Sequence, residues 1–301
     1  MTRFLLSTMY AQTARFDDGA VFAAFAADAG FDGVEISHST GEEKIRAIAG
    51  SDHPAIGSVH QPAPYRTIDG RPNAHLNLAA LGEEERRLGV EHTLDSIRLA
   101  AEVGARAVVV HLGHLPGSST AWSADRAARR KLAAGEPFAE TAQRALTART
   151  RDAERALAAA RCTIEELVAV AAPLGITLGL ETRLNLAELP LPHELPQLVA
   201  GFRASEVGYW HDVGHAEVLG RLGYIHPFEW FEWATCVGAH VHDVAGITDH
   251  RAPGSGDVDL GAHARALADL ETITLEINQH QPEESVRMTI PLLRSLGFGQ
   301  D

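Results

Sequence analysis

Lysine is almost missing from this chain of 301 residues: only Lys44 and Lys131 occur, both in helical, polar stretches. A Schiff-base mechanism therefore has no obvious nucleophile. Cysteine is as scarce, with Cys162 in a helical pattern and Cys236 beside an apolar run. Thiols so far apart make no redox or metal motif and read as reduced side chains. No apolar run approaches the ~20 residues that span a bilayer. The opening MTRFLLSTMY carries one positive charge and a very short apolar run, so neither a signal peptide nor a membrane span is expected, and the expected location is cytoplasmic. Positive charge is outnumbered too. A formal net charge of −14 argues against nucleic acid as a partner, because affinity for a polyanion rests on neutralising phosphates.

What the chain has is hydrophobic content, at 45%, and histidine, at 16 residues. Short β-branched runs alternate with longer helical patterns, the signature of repeated βα units around a parallel sheet. Strands are expected at Phe4 to Thr8, Gly33 to Ser37, Ile56 to His60, Ala107 to His111, Ile176 to Glu181, Val207 to Asp212, Gly238 to Asp243 and Ile273 to Asn278. Eight such runs point to a single α/β domain over residues 1–301, a (β/α)8 TIM barrel. Helical periodicity in DDGAVFAAFAADAG stops at Gly30, and in EEERRLGVEHTLDSIRLAAEVGA at Gly104. One connection is oversized. Residues 112–175, after the fourth strand, are expected to form an extended loop with two helices, one of them a candidate lid.

Polar residues collect where these runs end. His60, His111, Glu181, Asp212, His240 and Glu276 each close, or nearly close, an apolar run. In a (β/α)8 barrel those ends converge on one mouth. All six are oxygen or imidazole donors suited to divalent metals. Without a cation, three carboxylates crowded there would repel one another. Residues two apart on a strand share a face, so Arg183, His242 and Asn278 are expected to project just above the ligands as substrate-binding groups. For Arg183 the alternative is a rim salt bridge with Glu188. In YWHDVGH, the same alternation puts Tyr209 and His211 against the helices and Trp210 and Asp212 toward the barrel.

With these residues in place, the chain resembles the xylose-isomerase-like (β/α)8 superfamily, which includes sugar and sugar-phosphate isomerases and epimerases and the endonuclease IV type of AP endonuclease. The stretches SVHQPAPY, VVVHLGH, LGLETR, YWHDVGH, HVHDV and DHRAPGSGDVD carry the resemblance, in that order. It implies that Glu181, Asp212, His240 and Glu276 hold one ion, commonly manganese in the similar epimerases. Glu181 and Glu276 would then move a proton through an enediolate of a small carbohydrate or related polyol or keto substrate. Resemblance to the endonucleases implies an alternative, a multi-zinc phosphoester hydrolase, in which His60, His111, His215 and His250 are additional metal or substrate ligands. Thr248 stands where those enzymes have an aspartate, with Asp249 beside His250 instead, which puts a third zinc in doubt. A non-catalytic metal-containing binding protein is the third reading. The cofactor implied is Mn2+ or Zn2+, one ion with a second as an option, and the similar epimerases imply a homo-oligomer.

Overall fold

In the computed structural model, which describes residues 2–52, 55–150 and 153–299, the eight apolar runs form eight parallel strands. They are β1 (Arg3–Ser7), β2 (Gly33–Ile36), β3 (Ile56–His60), β4 (Ala107–Val110), β5 (Thr177–Glu181), β6 (Val207–Asp212), β7 (Cys236–Val241) and β8 (Thr272–Leu275). Their order around the closed barrel is the order of the chain, and β8 pairs with β1 to complete it, Phe4 beside Ile273. The expected (β/α)8 barrel is the fold. Two strands end more than one residue short of the sequence reading. The last ladder stops at Leu275, so Glu276 and Asn278 lie beyond it, and the seventh stops at Val241, after which Asp243–Ala245 pairs with Thr248–Arg251 as a separate hairpin.

Helices α1 (Gly19–Asp28), α2 (Glu42–Ala49) and α3 (Glu83–Val103) follow the first three strands. Asp18 starts α1 by accepting from the Ala20 N–H at 2.9 Å, and Gly104 ends α3 in the left-handed conformation at φ 75°. Residues 112–175 hold α4 (Ser119–Ala133), α5 (Ala139–Thr150) and α6 (Ala153–Ala171), one helix more than the sequence reading placed there. Ile164, Leu167 and Val168 of α6 join the main core, as a barrel helix should. Helices α4 and α5 instead build small satellite clusters in which Ala128 and Ala142 pack with Val218, Leu222 and Val244, and Ala124 and Ala145 with Leu186 and Leu191. Among the described residues no helix is long and apolar enough to cross a membrane.

One large ring occupies much of the space between β5 and β7. Trp210 on β6 is fully buried, and it fits because β5 and β7 offer glycines opposite it. A Cβ on Gly238 would lie 2.1 Å from the indole, and one on Gly179 2.7 Å. Tyr209 turns outward, its ring stacked on Trp230 at 6.0 Å.

Candidate metal centre

Barrel closure brings the polar strand ends to one point. Asp212 lies in register with His240 across β6 and β7, Glu181 ends β5, and Glu276 follows β8 directly. Each is at most 2% exposed, and one ligand atom from each of the four falls within 4.8 Å of all the others. The Nδ1 of His240 sits among three carboxylates, 2.8 Å from Glu181 Oε1, 3.2 Å from Glu276 Oε2 and 3.6 Å from Asp212 Oδ2. Three oxygens and one imidazole nitrogen make a donor set that fits a hard or borderline divalent ion.

The far side of the His240 ring explains its orientation. Its Nε2–H donates to Glu35 at 3.0 Å, and Glu35 is itself held by Ser58 Oγ at 2.7 Å and Thr274 Oγ1 at 3.2 Å. Glu35 is fully buried on β2, and the sequence reading did not include it. The signal available was a lone carboxylate inside the apolar run GVEIS, on the face shared with Ser37. With Nε2 committed to Glu35, Nδ1 can turn its lone pair on the centre. A lone pair aimed at three anions needs positive charge between them, either a proton on the ring or a cation. Burial opposes the imidazolium, yet Glu35 and Glu276 outweigh it and hold the pKa well above the usual histidine range.

The carboxylates are all driven toward their charged forms. For Glu181, burial works against ionisation, but His111 and Arg183 hold the carboxyl well below the usual range. His215 and His242 do the same for Asp212, and His240 and His250 for Glu276, again against the cost of burial. Asp212 also caps α7 (Val213–Arg221), accepting from the His215 N–H at 2.7 Å.

The remaining expected residues surround this set. His60 donates from Nδ1 to the Gln61 carbonyl at 3.0 Å, which leaves Nε2 unpartnered and 3.6 Å from Glu181 Oε1. His111 Nε2 lies 2.5 Å from Glu181 Oε2; burial and then the Arg183 charge depress its pKa well below the usual value, which keeps it neutral. His215 donates from Nδ1 to the Thr182 carbonyl at 2.8 Å. His250 stands between Glu276 at 3.3 Å and Asp249 at 3.2 Å. Three further groups of donors gather within 4.8 Å among the described residues: His60, His111 and Glu181; His60, His240 and Glu276; and Asp212, His215, His242 and His250.

Of the three residues expected to face substrate, Arg183 contacts both Glu181 and His111 and also forms the ion pair with Glu188, at 3.1 Å. His242 is fully buried. Its Nδ1 accepts from the His250 backbone N–H at 2.8 Å, so its Nε2 carries the proton and donates to Asp212 at 3.0 Å. That ring packs on bare Gly214, where a Cβ would lie 1.9 Å from it. Asn278 is partly buried and accepts from the His280 N–H at 2.9 Å. His38, which the sequence reading also omitted, stands 5.1 Å from the His60 ring and 5.7 Å from that of His111. Burial above all, and then His60, push its pKa down to about 4. Cys162 and Cys236 are both free thiols remote from these groups.

A family described as xylose isomerase-like TIM barrel matches residues 23–296. An uncharacterised protein of Methanocaldococcus jannaschii is 27% identical over 197 residues, covering 63% of this chain and 55% of that one. The chain thus spans about half the length of that relative. Among solved structures, a D-tagatose 3-epimerase-like protein superposes with a TM-score of 0.66 at 19% identity, over 98% of this chain and 97% of that one. The D-psicose 3-epimerase of Clostridium cellulolyticum gives 0.66 at 13%, over 99% and 100%. The 3-keto-D-glucoside 4-epimerase of E. coli gives 0.62 at 17%, over 98% and 100%.

Proposed function

Because the chain belongs to the xylose isomerase-like TIM barrel family, we propose that it is a divalent-metal-dependent isomerase or epimerase of a small carbohydrate or related polyol or keto substrate. One observation carries the reading: the four buried donors of Glu181, Asp212, His240 and Glu276 converge within 4.8 Å. These residues would hold a single Mn2+ or Zn2+. When bound, the ion supplies Lewis-acid polarisation of a substrate carbonyl and its neighbouring hydroxyl. Glu181 and Glu276, whose carboxyls their neighbours hold below the usual range, are the general base and its partner acid, the acid taking up a proton from solvent before it acts. One removes the proton from the carbon beside the carbonyl, giving an enediolate, and the other returns a proton to the opposite face. Similarity to proteins named as ketose 3-epimerases supports this reaction class.

Residues 1–301 form one barrel domain, and 112–175 supply a cover for its mouth. The supporting observation is that Arg129 of α4 bonds the Leu184 carbonyl and Arg149 of α5 that of Leu186, just beyond Glu181. The partner is a small molecule and not nucleic acid, in a cytoplasmic homo-oligomer. The runner-up is a multi-zinc phosphoester hydrolase, favoured by the two additional donor groups around His111 and His250.

Glu276→Gln tests the acid-base role. Turnover on any substrate found should fall by at least about 100-fold, while metal analysis still finds one ion per chain. Full turnover in that variant would remove Glu276 from the reaction.

A further inference from the structure

The donors His60, His111 and Glu181 look like half of a binuclear site, yet a side chain of the same protein already stands in it. Arg183 Nη1 touches both His111 Nε2 and Glu181 Oε2, and those two atoms are themselves 2.5 Å apart. A guanidinium cannot be deprotonated in a protein, so a permanent positive charge stands against both groups. An ion at this point needs the same His111 lone pair and the same carboxylate oxygen at about 2.0–2.2 Å. The two cations exclude each other by contact and by charge.

The arginine is also tied in place. Its Nη2 donates to Glu188 Oε1 at 3.1 Å, while Glu188 Oε2 accepts from the backbone N–H and the side-chain amide of Asn185, both at 2.8 Å. Arg149 bonds the Glu188 carbonyl from behind at 3.2 Å. At 14% exposure the guanidinium has little solvent to swing into. The geometry points to Arg183 as a built-in cation that occupies the second-metal position between His111 and Glu181 and keeps the centre mononuclear. This inference rests on the one-ion reading above and adds the residue that enforces it. Arg183 thereby selects proton transfer at a single ion over hydrolysis between two.

The test counts metal. Protein saturated with Zn2+, and separately with Mn2+, then freed of excess, is analysed by native mass spectrometry and elemental analysis. Wild type should carry one ion, and His111→Ala should also carry one. Arg183→Ala should carry two, and the double variant Arg183→Ala/His111→Ala one again. A wild-type chain holding two ions, one of them lost in His111→Ala, overturns the inference and leaves a metal-dependent enzyme standing. Folded Arg183→Ala that still binds one ion overturns it as well. A wild-type chain that binds none overturns the one-ion reading itself and this inference with it. The comparison of wild type with His111→Ala needs no Arg183 variant to fold.

Discussion

Glu35 acts on the centre through one hydrogen bond, at 3.0 Å to the ring nitrogen of His240 that points away from the carboxylates. Such a partner fixes the tautomer and ring orientation of a metal-ligating histidine, and its loss commonly costs about 10–100-fold in metal affinity. Glu35→Gln should therefore weaken Mn2+ binding by about that factor in a calorimetric titration, with the far-UV spectrum of the metal-free protein unchanged. Unaltered affinity would reduce Glu35 to a satisfied core carboxylate. His242 does for Asp212 what Glu35 does for His240. Its proton is fixed on Nε2 by the backbone N–H of His250 bonded to Nδ1, so it braces the Asp212 carboxylate from a fully buried position. A histidine two residues along a strand from an expected metal ligand can thus be fully buried with both ring nitrogens hydrogen-bonded.

At the scale of elements, α4 and α5 secure the segment that follows β5. Arg149 is 2% exposed and Glu194 1%. The arginine donates to both oxygens of Glu194, to the Leu186 carbonyl at 2.6 Å and to the Glu188 carbonyl at 3.2 Å. On α4, Arg129 is paired with Asp125 at 3.1 Å, and Asp125 accepts from Tyr224 Oη at 3.0 Å. Residues 184–194 are thereby pinned by side chains reaching their backbone, and Glu188, the tether of Arg183, lies among them. Removing one partner of a buried pair leaves an uncompensated charge, which costs about 3–5 kcal/mol. Arg149→Met should lose stability by about that amount in urea denaturation; a loss under about 1 kcal/mol would mean that Glu194 finds another partner.

For the whole molecule, an ion held by Glu181, Asp212 and Glu276 would couple its binding to folding, since the unfolded chain has no such site. At a free ion concentration a hundred times Kd, binding adds about 2.7 kcal/mol, on the order of 5 °C in Tm for a domain of this size. Calorimetry in Mn2+ against EDTA should show that rise, and superimposable transitions would mean that no ion binds the folded state. The barrel and the meeting of Glu181, Asp212, His240 and Glu276 were legible in the chain because each βα unit repeats one pattern, an apolar run closed by a polar residue. A repeat around a ring brings equivalent positions together whatever the details of packing. Glu35 was not legible in that way: it sits within its apolar run, and its partner His240 is 205 residues distant. Arg183 could be placed on the cavity face by alternation alone, but whether it met substrate or filled the space between His111 and Glu181 depended on side chains from different strands. Sequence by itself determined the barrel and the ring of donors, because periodicity is local and cumulative. Which nitrogen of each histidine faces the centre, and which cation stands beside Glu181, only the tertiary structure decided, because those are contacts between strands that meet only when the barrel closes.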